Sequence, residues 1–127
     1  MRSILCAAVL SVFGVGLTAA VVFAQDDDKP KYTIKEVMGK AHKGGADALV
    51  QRIIAGKGSD SEKKELVEYY TALGKNKPPK GEQKSWDDKT KALLDAAKEV
   101  QEGKDGGADK LKKAANCMEC HKAHRGS

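Results

Sequence analysis

The stretch Asn116-Cys117-Met118-Glu119-Cys120-His121-Lys122-Ala123-His124-Arg125 decides how the rest of this chain is to be read. It sets two thiols three residues apart, with an imidazole directly after the second. On a helix, Cys117, Cys120 and His121 stand at i, i+3 and i+4 and share one face. Attachment to one flat macrocycle requires that arrangement: the thiols add across the two vinyl groups of a porphyrin, and the adjacent histidine reaches the iron. The pattern predicts a single covalent haem c held by Cys117 and Cys120, with His121 as an axial iron ligand. A helix that carries such a group must have other helices to bury it against.

Three rival readings share these residues. His124 extends the run to C-x-x-C-H-x-x-H, four donors that zinc accepts, but zinc sites usually close a tetrahedron from two separated ligand pairs, and four donors within eight residues of one helix point too nearly the same way. A redox dithiol opens a helix after a strand, and no period-two, β-branched run exists here to make one. The last rival is a chance pair of cysteines.

Cysteine use elsewhere supports haem. Met1–Ala24 carries one early charge, Arg2, then an apolar run from Ile4 to Ala24, and Val22-Phe23-Ala24 resembles a cleavage site. This reads as a secretory signal, so residues 1–24 would leave and the protein would be periplasmic or otherwise exported. Retained, a run of that length at about 1.5 Å per residue could just cross a hydrocarbon core of roughly 30 Å, and membrane attachment is the alternative. Cys6 lies within the segment. Cleavage therefore leaves only Cys117 and Cys120, whose intervening loop is too short to staple a fold as a disulfide would. It also removes one of 23 basic residues and none of the 18 acidic ones, so the chain stays mildly basic.

Residues 25–32 are charged, contain Pro30 and read as a flexible leader. The domain proper then spans 33–127. Thr33 with Glu36 forms a capping box, and Ile34, Val37, Met38 and Ala41 recur at helical spacing. Gly44-Gly45 predicts a kink or break, after which Ala46, Leu49, Val50, Ile53 and Ile54 resume the period on a rotated face. Ser59-Asp60-Ser61 followed by Glu62 and Glu65 starts the next helix, its acids placed against the N-terminal dipole, and the face is Leu66, Tyr69 or Tyr70, and Leu73. Pro78-Pro79-Lys80-Gly81 interrupts it. Ser85 with Asp88 predicts the next start, with Trp86, Leu93, Leu94, Ala97 and Val100 inward. Beyond Gly106-Gly107 a last helix should turn Ala108, Leu111, Ala114, Ala115 and Met118 inward. The fold class predicted is all-α: a four-helix up-down-up-down bundle with its first arm kinked or broken at Gly44-Gly45 and haem c on its last arm. Aromatic content is only 5%, so the core without a haem is thin.

These features resemble the class II c-type cytochromes, the four-helix-bundle group that includes cytochrome c′ and its low-spin relatives. The ten residues quoted at the outset carry the specific likeness; residues 33–125 share the architecture. In that family a basic residue commonly stands four positions after the haem histidine, where this chain has Arg125, a candidate partner for a haem propionate. The resemblance further implies that low-spin members take a sixth ligand from a methionine on the first helix, which here is Met38. Up-down-up-down topology agrees, because it sets the end of the fourth helix beside the start of the first, and Met38 is only about 7.5 Å beyond the cap. His42, one turn on, is the alternative ligand or a distal-pocket residue; a third option is an open sixth position. Met38 also reads as ordinary core packing. His124 reads as a solvent histidine near the last carbonyls, and Trp86 as a core anchor.

The function implied is transfer of single electrons between redox partners, with no substrate transformed. The alternative is a five-coordinate, gas-binding or gas-sensing haem protein like cytochrome c′. Catalysis is not expected beyond a peroxidase-like side activity. Partners would be redox proteins with acidic docking faces for the lysines around the haem edge; nucleic acid is not among them, and a homodimer is compatible.

Overall fold

Thr33 starts the first helix by the reciprocal bonds its spacing predicts. Its hydroxyl accepts from the Glu36 amide at 3.2 Å, and the Glu36 carboxylate accepts from the Thr33 amide at 2.8 Å, so two donors that a helix start leaves unpaired are satisfied. The computed structural model describes residues 29–126; the expected signal segment and residues 25–28 lie outside the described residues. Lys31 pairs with Glu68 at 2.8 Å, the Tyr32 ring packs edge-on against Tyr69 at 4.9 Å, and Asn76 donates to the Tyr32 carbonyl at 2.8 Å.

Helix α1 (Ile34–Val37) runs directly into a π-helical turn, Met38–His42, closed by a Lys43 amide bond to the Met38 carbonyl at 2.9 Å. A 3.6-residue period carries no signature of such a turn, and turns of this kind gather at functional sites. Gly44 and Gly45 then take φ of +120° and +60°, values that L side chains rarely adopt. The predicted break is there. A 3-10 turn, Gly45–Asp47, leads into α2 (Leu49–Ile54).

Ser59 caps α3 (Asp60–Lys75) with a second capping box: its hydroxyl accepts from the Glu62 amide at 3.2 Å and Glu62 accepts from the Ser59 amide at 2.8 Å. Arg52 of α2 pairs with the same Glu62 carboxylate. One side chain thus starts α3 and ties α2 to it. Ser59→Ala should lower stability by about 1 kcal/mol, the usual value of a cap, read as a shifted urea midpoint at unchanged slope.

Two expectations for the second half need correction. Helix α4 (Gln83–Gln101) begins two residues before Ser85, with Glu82 at the cap position and no side-chain cap; the Ser85 hydroxyl is engaged elsewhere, 3.1 Å from a His124 ring nitrogen. The last arm is not one helix. It comprises α5 (Gly107–Ala114) and α6 (Cys117–His124), parted at Ala115-Asn116, where the Asn116 side chain accepts from the Met118 amide at 3.2 Å and recaps the chain. The restart changes the inward face, and Met118, predicted inward, is 74% exposed.

The described residues are all-α. Helix α3 packs on α4, α4 on α5, α2 on both α3 and α5, and α1 on α3, while α6 belongs to none of these close pairs. Val37, Ala41, Val50, Ile53, Leu66, Tyr69, Tyr70, Leu73, Trp86, Leu93, Ala96, Ala97 and Leu111 form the core, the apolar stripes that helical periodicity selects. No helix among the described residues is long and apolar enough to cross a membrane.

Candidate haem-attachment site

Because α6 starts afresh at Cys117, the motif occupies its first turns. Cys117 is exposed, Cys120 half-buried and His121 exposed. The Cys117 thiol makes one weak bond, to the Ala115 carbonyl at 3.6 Å. Burial pushes the Cys120 thiol above its ordinary value, partly opposed by Lys89.

These side chains open on an apolar cavity of about 220 Å³, whose walls include Met38, His42, Leu73, Leu93, Cys117 and His121. A second cavity, about 820 Å³, is lined by Ile34, Lys35, Trp86, His124 and Arg125. Met38, Cys120 and His121 border both cavities. The tertiary structure therefore sets residues of α1 and the π-helical turn across shared cavities from α6 and places Met38, His42 and Arg125 around the motif. The donor set fits a covalently held haem: two reachable thiols, an imidazole one residue on, and a thioether and second imidazole across apolar space, with cationic Lys35 and Arg125 at one border. Where haem is bound, Cys117 and Cys120 would hold it, His121 would bind iron, and the leucines would exclude water.

His42 is half-buried, and its Nε2 lies 3.1 Å from the hydroxyl of fully buried Tyr70. Burial, and to a lesser extent the field of His121, push His42 down to about 4 from an ordinary 6.5. The Tyr70 phenol is held well above its usual range by burial and then by Cys117. Since the folded value of His42 lies below the unfolded one, the unfolded chain takes up the proton first. Stability of the haem-free chain should thus fall as pH drops from 6.5 to about 4, by up to about 3 kcal/mol from this group. Comparing pH profiles of the urea midpoint for wild type and His42→Gln checks this: the variant should lose that part of the slope.

His124 requires a correction. Rather than facing solvent it is 2% exposed, with Nδ1 3.0 Å from the Lys80 carbonyl and Nε2 3.1 Å from the Ser85 hydroxyl. A carbonyl only accepts, so Nδ1 carries a proton. Its ring stands edge-on to Trp86 at 5.4 Å; Trp86 is the core anchor predicted, though its buried Nε1 has no hydrogen-bond partner. With both nitrogens engaged, His124 is not free to serve as the fourth zinc donor.

The pinning depends on Gly81, which has φ +85° and would put a Cβ 2.6 Å from the Ala123 carbonyl oxygen and 2.8 Å from His124 Nδ1. Periodicity and motif spacing read Tyr70 as a core position and Ser85 as a cap, and do not reveal the contacts that Tyr70, Gly81 and Ser85 make at the site. Gly81, two residues after a pair of prolines, carries a local signal that says turn rather than contact. No known family, curated protein or solved structure matches the chain.

Proposed function

We propose that this chain is an exported monohaem c-type cytochrome of the class II kind, an up-down-up-down bundle that passes single electrons between redox partners. The observation that carries the reading is the convergence of Met38 with Cys120 and His121 on the same two cavities, from ends of the chain about eighty residues apart. Apolar walls from Leu73 and Leu93 beside a C-x-x-C-H helix are what burial of a haem calls for.

When bound, the haem supplies an iron centre that alternates between Fe(II) and Fe(III). The chain's own residues supply the rest. Cys117 and Cys120 would fasten the group, and His121 and Met38 would be its iron ligands, a pairing that favours a raised potential. Arg125 and Lys35 offer charge to the propionates, and surface lysines orient acidic partners.

The test is expression with a c-type maturation apparatus, followed by absorption and resonance Raman spectroscopy. A red protein with a six-coordinate, low-spin spectrum that turns high-spin in Met38→Ala is the expected result. A five-coordinate wild type would transfer the assignment to gas binding, and a colourless protein would overturn the haem reading altogether.

A further inference from the structure

Met38 and His42 are both iron-ligating residue types, and the π-helical turn that begins with one and ends with the other leaves both lining the cavity with His121. Two donors on one turn compete for one position. Apolar packing does not choose between them, since both are half-buried and both border the same space. What differs is the partner each already has. Among the described residues no hydrogen bond holds the Met38 sulfur, whereas His42 Nε2 is engaged by Tyr70 at 3.1 Å.

We propose that Tyr70 is a positioning residue which holds the His42 imidazole by Nε2 and so reserves the sixth iron position for Met38. The inference rests on the haem reading above and adds to it the device that sets ligand identity. Tyr70 sits in the middle of α3 with no exposed surface, so its hydroxyl cannot turn to water. If His42 swung to the iron, that hydroxyl would be left buried and unpaired. The two rings also lie together at 5.7 Å, tilted by 36°, which limits rotation of the imidazole further. With the His42 proton on Nδ1, exchange of ligands would break an iron–sulfur bond and form an iron–nitrogen bond with no change in electron count and no proton released. In the tautomer that leaves Nε2 free to ligate, Tyr70 is the donor, so the hydroxyl hydrogen blocks the lone pair the iron would need.

The experiment compares wild type, Tyr70→Phe, His42→Ala and Tyr70→Phe/His42→Ala, each matured with haem in the full chain. Near-infrared magnetic circular dichroism and electron paramagnetic resonance distinguish sulfur–nitrogen from nitrogen–nitrogen axial ligation, and a redox titration gives the potential. Wild type and His42→Ala should both show sulfur–nitrogen ligation. Tyr70→Phe should acquire a nitrogen–nitrogen population with a lowered potential, and removing His42 in the double variant should restore the sulfur signal. A generally loosened core would not be repaired by a second truncation, so the rescue separates positioning from packing.

An unchanged Tyr70→Phe spectrum overturns the proposal, as does a wild type already carrying two nitrogens or an open sixth position. Loss of the sulfur signal in His42→Ala overturns it independently, even if Tyr70→Phe fails to fold. Absence of haem from wild type sinks the underlying reading instead, which keeps the two failures distinct.

Discussion

Cys117→Ser/Cys120→Ser should abolish covalent haem retention. On a denaturing gel the wild-type band is expected to stain for haem peroxidase activity and the double variant to give none, while each single variant keeps one thioether and stains weakly. The structure makes this test clean. Cys117 is exposed and Cys120 half-buried, neither is among the buried core residues, and a thiol-to-hydroxyl change at the start of α6 leaves the Asn116 cap intact. Secondary structure of the haem-free chain should change little. Full haem staining of the double variant would remove the motif from the argument.

The second large effect is expected at Gly81. Gly81→Ala must place a methyl within 2.6 Å of the Ala123 carbonyl oxygen, a backbone atom, in a backbone of φ +85°. The left-handed conformation alone costs about 1–2 kcal/mol for an ordinary residue, and relieving the clash displaces His124 from the Lys80 carbonyl and the Ser85 hydroxyl, adding about 1–3 kcal/mol for buried polar groups left unpaired. A total of about 3 kcal/mol should appear in urea denaturation. His124→Ala breaks the same latch from the other side, so the double variant should lose much less than the sum of the singles. Additivity would show that Gly81 and His124 act separately.

Both variants probe how α6 is held. Its described polar fastenings to the rest of the molecule run through His124, the loop at Lys80-Gly81 and Ser85 of α4. Sequence spacing misses this latch because a histidine near a helix end reads the same whether water or another chain segment lies over it. Ser85 misleads for a related reason. A serine three residues before an aspartate satisfies the capping pattern, yet the helix already has a start at Glu82, and the hydroxyl is claimed by a partner 39 residues away.

Asn116 carries a restart signal of its own. Asparagine is a strong N-cap, and its place directly before Cys117 is a local signal that the last arm restarts there. Periodicity carried across the restart instead predicts Met118 inward, when a new helical phase leaves it 74% exposed. The helix starts at Thr33 and Ser59 succeed where this fails because each is closed within four residues, Thr33 to Glu36 and Ser59 to Glu62.

What the amino-acid sequence determined by itself is the local part: where two helices start, that the chain breaks at Gly44-Gly45, which stripes are apolar, and that two thiols and an imidazole share one turn. Those features rest on backbone conformation and on bonds between near neighbours, for which the chain needs no knowledge of its own fold. Only the tertiary structure decided that Met38 borders the same cavities as His121, that Tyr70 holds His42, and that His124 is buried against Lys80 and Ser85. Each joins residues from 28 to more than 80 positions apart, and contacts over such separations depend on how whole helices pack, which no local pattern encodes.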